Sequence, residues 1–209
     1  MLHEIRNNYQ QDELQEKNVK ENPLEQFRMW LDESIGKRVN EPTAMVLSTV
    51  DGQNRPHARV VLLKELTGRG FVFFTNYNSA KATQISVNGS VSLTFFWPEL
   101  ERQVRVDGSI EKVSSGVSDE YFASRPVDSR LGAWASPQSK VISSKKILDE
   151  NFSKCRARFG EEVPRPHHWG GYQVIPNYLE FWQGRPNRLH DRICYRLEEN
   201  CWKIFRLAP

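Results

Sequence analysis

The stretch RPNRLHDR (185–192) crowds Arg185, Arg188 and Arg192, with His190 and Asp191, into eight residues. It follows Phe181-Trp182-Gln183-Gly184, which reads as the end of a strand, so a tryptophan stands beside a dense cationic turn. Composition alone leaves this turn open to a second reading as a solvated loop. In YFASRPVDSRLGAWASPQS, Tyr121, Arg125 and Ser129 recur at spacings of four. On one continuous helix they would share a face, but Pro126 breaks such a helix, so convergence needs two short elements meeting at the break. A phenol, a guanidinium and a hydroxyl make a phosphate cradle; the same three side chains also suit a capping network. In FFTNYNSAKA, Thr75, Ser79 and the first amides of a following helix suit a phosphate, with Lys81 as counter-charge; a plain N-cap beside a solvated lysine is the other reading. In RVVLLK an extended chain points Arg59, Val61 and Leu63 one way and Val60, Leu62 and Lys64 the other. The two charged ends then lie on opposite faces, as ligand contacts or as solvent-facing charges.

These residues need elements to hold them. PLEQFRMWLDESIGK (23–37) reads as a helix with proline in its first turn and Leu24, Phe27, Trp30, Leu31 and Ile35 on one face. AMVLSTV (44–50), ARVVLLKEL (58–66) and FVFFTN (71–76) are β runs joined by glycine-bearing turns, an antiparallel meander. A short helix, SAKATQISVNG (79–89), with Ser79 as N-cap, precedes two further strands, SVSLTFFW (90–97) and RQVRVDGSIEKV (102–113). Residues 115–159 are helical in pattern, and strands return in GGYQVIPNYLEFW, DRICYRLEE and CWKIFRL. Runs of strands with inserted helices predict an α+β barrel in a single domain over 23–209, preceded by a polar, mobile arm over 1–22.

What is missing narrows the function. The chain has 29 basic and 26 acidic residues in 209, a net charge of +3, with no dense Lys/Arg block, which argues against nucleic acid. Basic residues scattered singly along strands suit a small anionic ligand better. Neither GxGxxG nor GxxxxGK[ST] follows a strand, so a dinucleotide fold or P-loop is not supported, and no GxSxG nucleophile is present. His167 and His168 are adjacent and point apart, and His57 and His190 lack partners at ligand spacing, so no metal site is expected. Cys155, Cys194 and Cys201 are odd in number and form no CxxC, which fits a reducing cytoplasm. No apolar signal core and no apolar window of about 18 residues appear, so no membrane partner is expected.

Together PTAMVLSTV, RVVLLK, FFTN followed by SAK, LERQVRV, YFASRPVDSRLGAWAS, PQS, HWGGY, EFWQG, RLHDR and the final RLAP closely resemble the pyridoxine 5′-phosphate oxidase (pyridoxamine-phosphate oxidase) family, from about Pro23 to Pro209. Each motif is weak alone; their order and spacing make the match specific. The resemblance implies an FMN-binding split β-barrel, α+β in class, that works as a homodimer with FMN at the interface. It implies oxidation of pyridoxine 5′-phosphate or pyridoxamine 5′-phosphate to pyridoxal 5′-phosphate, with O2 reduced to H2O2. Carried over by position, the FMN contacts are Arg59, Val60, Val61, Leu62, Leu63 and Lys64, then Phe74, Thr75 and Lys81, then Gln103, Gln138, Ser139, Trp182 and Arg192. Lys64, Tyr121, Arg125 and Ser129 would hold the substrate phosphate, and Arg188, Leu189 and His190 would meet its ring, with Arg188 and His190 as the catalytic pair. Arg6 and Tyr9 fall where the family's arm folds over bound substrate. Within RPNRLHDR this leaves Arg185 facing solvent, Asp191 orienting the turn and Arg192 toward the flavin.

Two positions depart from the family pattern. Ala80 stands where a basic residue usually precedes the lysine, which predicts weaker FMN retention; Glu41 stands where some members have aspartate, with little effect expected. The rival reading is a split barrel that binds flavin or pyridoxal phosphate without turnover. RLHDR and the Tyr121/Arg125/Ser129 set discriminate, because a flavin-only binder needs no second phosphate cradle.

Overall fold

A computed structural model describes Glu4 and residues 8–209. Five helices are placed, α1 (Pro23–Gly36), α2 (Ala80–Val87), α3 (Ser115–Ser124), α4 (Val127–Ala135) and α5 (Lys146–Phe159). The strands are β1 (Ala44–Val50), β2 (Pro56–Leu62), β3 (Glu65–Leu66), β4 (Phe71–Asn76), β5 (Ser90–Trp97), β6 (Arg102–Lys112), β7 (Trp169–Gln183), β8 (Asp191–Glu198) and β9 (Cys201–Arg206). They form one antiparallel, curled sheet in the order β2-β1-β5-β6-β7-β4-β3, with β8 on β7 and β9 on β8.

Alternation builds the sheet. In β1, Met45, Leu47 and Thr49 are buried, and in β5 Val91, Leu93, Phe95 and Trp97 are, so one face of each strand enters the core. Helix α1 closes that core. Asn22 caps it by accepting from the Leu24 N–H at 2.9 Å, and Pro23 fills its first position. Its Phe27 packs edge-on to Phe71 at 4.8 Å and its Trp30 edge-on to Phe181 at 5.2 Å. Burying each such ring contributes about 1.5–3 kcal/mol. A smaller core of Phe122, Leu131, Val163 and Trp169 joins the helical segment to the start of β7.

Strand β7 is the spine. Its one edge carries β6; its other edge carries β4 over Trp169–Val174 and then β8 over Tyr178–Gln183. The β6–β7 register shifts at Asp107/Gly108, where a side chain on Gly108 would meet the Ile175 carbonyl oxygen at 2.1 Å. Only glycine allows that approach.

Two expectations are corrected. The run 58–66 is not one strand: β2 stops at Leu62, Leu63 and Lys64 leave it, and β3 resumes at Glu65. The Lys64 N–H goes instead to the Val72 carbonyl at 2.8 Å. Ser79 precedes α2, but its hydroxyl caps no backbone amide.

Candidate active site

The corner where β2, β4, α2 and the α3–α4 break meet encloses a cleft of about 700 Å³. The break is the predicted one: α3 ends at Ser124, Pro126 stands between, and α4 begins at Val127. It brings Tyr121, Arg125 and Ser129 onto one wall of the cleft. Arg59, Val60, Val61, Leu62 and Lys64 line it as well, and Phe74, Thr75, Lys81 and Gln138 complete it. The alternation argument had separated Arg59 from Lys64. Both line this cleft, because the chain leaves the extended conformation at the end of the edge strand. Leu63 does not line the cleft; it is buried in the core at 4% exposure.

Two of its cations, Arg59 and Lys81, are oriented by neutral acceptors. Arg59 donates through Nη1 to the Leu47 carbonyl (2.9 Å) and Thr49 Oγ1 (2.7 Å), and through Nη2 to Gln84 Oε1 (3.0 Å). Lys81 Nζ donates to Thr75 Oγ1 (3.1 Å), Ser79 Oγ (3.3 Å) and Gln138 Oε1 (3.1 Å). Burial, then the charge of Arg59, pushes the Lys81 ammonium below its ordinary pKa. The Arg125 guanidinium lies 4.7 Å over the Trp169 ring, and its Nη1 is buried with no hydrogen-bond partner. A buried unmet donor costs about 1–3 kcal/mol. Among the described residues no Asp or Glu lines the cleft, which carries four cations, Arg59, Lys64, Lys81 and Arg125.

An aromatic stack forms one wall. Phe74 stacks on Tyr121 at 3.9 Å and on Trp169 at 5.5 Å. The glycines of HWGGY permit it: a side chain on Gly171 would meet Phe74 Cε1 at 2.8 Å, and one on Gly170 would meet the Tyr77 hydroxyl at 2.3 Å. Trp169 and Ser136 line the cleft too, though motif reading assigned them no role; the HWGGY and AWAS segments that carry them were the available signal.

The remaining candidates lie elsewhere on the chain. Gln103, Trp182 and Arg192 are direct cross-strand neighbours on β6, β7 and β8, a row on one face. Trp182 packs on His190 at 4.6 Å, and Tyr9 sits edge-on to both rings at 5.8 Å. Arg188, at φ +62° as the last residue of a 3-10 turn, and Leu189 are exposed beside them. His190 Nδ1 accepts the Arg185 N–H at 3.1 Å. Burial, then the Arg188 charge, pushes the imidazole below its ordinary pKa. A neutral ring whose Nδ1 is an acceptor carries its proton on Nε2 and presents a donor.

The two groups occupy opposite ends of β7. Thr75 pairs with Gly170, and Trp182 lies about 40 Å further along the strand at roughly 3.3 Å per residue. One copy of the chain therefore does not bring the row to its own cleft. Ser139, exposed at φ +67°, follows Gln138 but does not line the cleft, and Arg6 falls outside the described residues.

Two residues of RPNRLHDR differ from expectation. Arg185 is not simply solvent-facing: its Nη1 donates to the Asp12 carbonyl at 2.8 Å, and its Nε lies 3.5 Å from Asp191. Asp191 does more than orient the turn. It accepts the Leu14 N–H at 3.1 Å and Arg206 Nη1 at 2.6 Å, tying the arm to β9. The contacts to Asp12 and Leu14 join residues over 170 positions apart, beyond the reach of local pattern.

Comparison with known proteins agrees with this geometry. Residues 31–159 match the family described as pyridoxamine 5′-phosphate oxidase, and residues 169–209 match the pyridoxine 5′-phosphate oxidase C-terminal dimerisation region. A pyridoxine/pyridoxamine 5′-phosphate oxidase of Neisseria meningitidis serogroup B is 55% identical over 208 residues, covering 100% of this chain and 99% of its own. Among solved structures, PhzG of Burkholderia lata, in complex with tetrahydrophenazine-1-carboxylic acid, superposes with a TM-score of 0.90 at 28% identity, covering 95% of this chain and 98% of its own. An FMN-binding protein of Nostoc punctiforme shares the fold with a TM-score of 0.71 at 16% identity, covering 88% of this chain and 97% of its own. The chain belongs to the pyridoxine/pyridoxamine 5′-phosphate oxidase family.

Proposed function

We propose that this chain oxidises pyridoxine 5′-phosphate and pyridoxamine 5′-phosphate to pyridoxal 5′-phosphate with FMN as cofactor, reduces O2 to H2O2, and acts as a homodimer. The observation that carries the reading is the cleft: four cations, no carboxylate and one orphaned buried donor, Arg125 Nη1. That donor set fits phosphorylated ligands. FMN suits it in particular, because Val60, Val61 and Leu62 offer an apolar edge for a ring while Arg59, Thr75, Lys81 and Gln138 offer donors for a phosphate.

FMN held there would supply the two-electron oxidising chemistry, with O2 as final acceptor and, for the amine substrate, water consumed and ammonia released. The protein supplies position. Arg59 and Lys81 hold the cofactor phosphate. Tyr121, Arg125, Ser129 and Lys64 hold the substrate phosphate, and this double anchoring fixes the substrate's C4′ carbon for reaction. Gln103, Trp182 and Arg192 of a second copy cover the flavin, and Arg188, Leu189 and His190 meet the substrate ring, with Tyr9 and Arg6 of the arm above it. His190 donates through Nε2 rather than taking a proton, which makes it an orienting group. This placement rests on the ends of β7 being too far apart for one copy to serve both halves, and on the dimerisation region spanning 169–209. A barrel that only stored flavin has no use for the Tyr121/Arg125/Ser129 wall.

We read residues 1–22 as the arm and 23–209 as one domain. We assign the enzyme to the cytoplasm because Cys155, Cys194 and Cys201 are all free thiols; no helix among the described residues is long and apolar enough to cross a membrane.

The test is direct. The FMN-loaded protein, mixed anaerobically with pyridoxine 5′-phosphate, should lose its yellow absorbance and form pyridoxal phosphate, then regain colour in air with release of peroxide. Flavin that stays oxidised under anaerobic substrate would contradict the proposal.

A further inference from the structure

Arg192 differs from the cations of the cleft in what holds it. Arg59 and Lys81 are oriented by carbonyls, hydroxyls and amides, which leave their charge free. Arg192 is gripped by a carboxylate: Nε donates to Glu180 Oε1 and Nη2 to Glu180 Oε2, both at 2.9 Å, in the fork geometry of a bidentate pair. Its Nη1 donates to the Ala208 carbonyl at 2.8 Å. Glu180 is 2% exposed although it lies on the same outward face of β7 as Trp182. Tyr178 donates to it at 3.3 Å, and Arg105, its cross-strand partner on β6, stands 3.6 Å away while pairing with Asp107. Two cations and two carboxylates, Arg192, Glu180, Arg105 and Asp107, thus form a neutral cluster that shares Arg192 with the Gln103–Trp182–Arg192 row.

We propose that Glu180 is a positioning residue of this enzyme: it aims Arg192 at the flavin and cancels its charge, so that Arg192 meets the ring as a hydrogen-bond donor rather than as a net cation. The inference rests on the placement of Arg192 against FMN argued above. Its chemical sense follows from the oxidase reaction. A phosphate needs net positive charge, so the orienters of Arg59 are neutral. A flavin that must return its electrons to O2 is hindered by an uncompensated cation, which stabilises the reduced, more negative form. With its charge cancelled, Arg192 keeps two further N–H donors free for the ring.

The experiment measures the midpoint potential and dissociation constant of FMN in the reconstituted dimer. Glu180→Gln should still bind FMN but favour the reduced form by about tenfold, a rise of about 30 mV for a two-electron couple. Glu180→Gln/Arg192→Gln, with both charges removed, should return close to the wild-type potential. If Glu180→Gln does not fold, the same comparison runs between Arg192→Gln, which leaves the carboxylate unpaired and should lower the potential, and the double variant, which should restore it. A potential unmoved in Glu180→Gln, or equal in Arg192→Gln and the double variant, overturns the proposal while the placement of Arg192 stands. If Arg192→Gln alters neither FMN affinity nor potential, the placement falls and the proposal falls with it.

Discussion

The arginines of this chain are set apart by their acceptors. Arg59 keeps its charge because Leu47, Thr49 and Gln84 orient it without neutralising it, whereas Arg192 gives its charge to Glu180. A cationic cleft gains affinity from each further donor. Ala80 is exposed at the first position of α2, next to Lys81, and contributes none. Ala80→Arg should therefore tighten FMN binding by about tenfold, the equivalent of one charge-assisted bond at the low end of its range. Flavin-fluorescence titration of the apoprotein reads this directly, and an unchanged dissociation constant would show that the existing cations already saturate the phosphate. Some of this residue-level detail was legible in advance. The types and spacings in YFASRPVDS and SAK announced the cleft. Glu180 sat unremarked inside EFWQG, since nothing local distinguishes a carboxylate that faces water from one that grips an arginine on the next strand.

At the scale of elements, the periodic pattern placed nearly every strand and helix because alternating burial is local. It failed where the chain leaves its period, at Leu63–Lys64 beyond the edge strand, and that departure is what lets Arg59 and Lys64 share a cleft. The arm was also opaque to pattern. Its described part is fastened by contacts distant in sequence. Glu101 accepts the Gln10 and Gln11 N–H groups at 2.8 and 3.0 Å, and Arg102, over the Trp30 ring, pairs with Asp12 at 2.6 Å. Arg206 donates to Glu16 and to the Leu14 carbonyl, and its hydrogen bond lowers the Glu16 carboxyl to about 2, so that the clip stays charged into the acid range. The fastening delivers Tyr9 onto Trp182 and His190, against a glycine: a side chain on Gly184 would meet Tyr9 Cγ at 2.7 Å. Glu101→Ala should release the arm and raise the substrate KM several-fold, about 1 kcal/mol of lost positioning, with FMN affinity unchanged. Glu101→Gln, which keeps an oxygen acceptor, should recover most of the loss. Equal KM values in wild type and Glu101→Ala would remove the arm from substrate binding.

At the scale of the whole molecule, the longest strand, β7, has the cleft near one end and the Gln103–Trp182–Arg192 row at the other. The motifs pointed to both groups of residues, but sequence order says nothing of the span of β7, which sets the Trp182 row far from the cleft and is why a second copy is proposed to supply it. Each flavin–substrate site is proposed to join the cleft of one copy to the indole row of its partner. Subunit mixing tests this arrangement. Arg125→Ala cripples the cleft and Arg192→Ala the row, so each homodimer should be nearly inactive alone. Co-refolded in equal amounts, they should recover about a quarter of wild-type turnover, because half of the random dimers are mixed and each of these carries one site free of both substitutions. A mixture no more active than the two variants assayed apart would place both halves of the site in one copy and contradict the account.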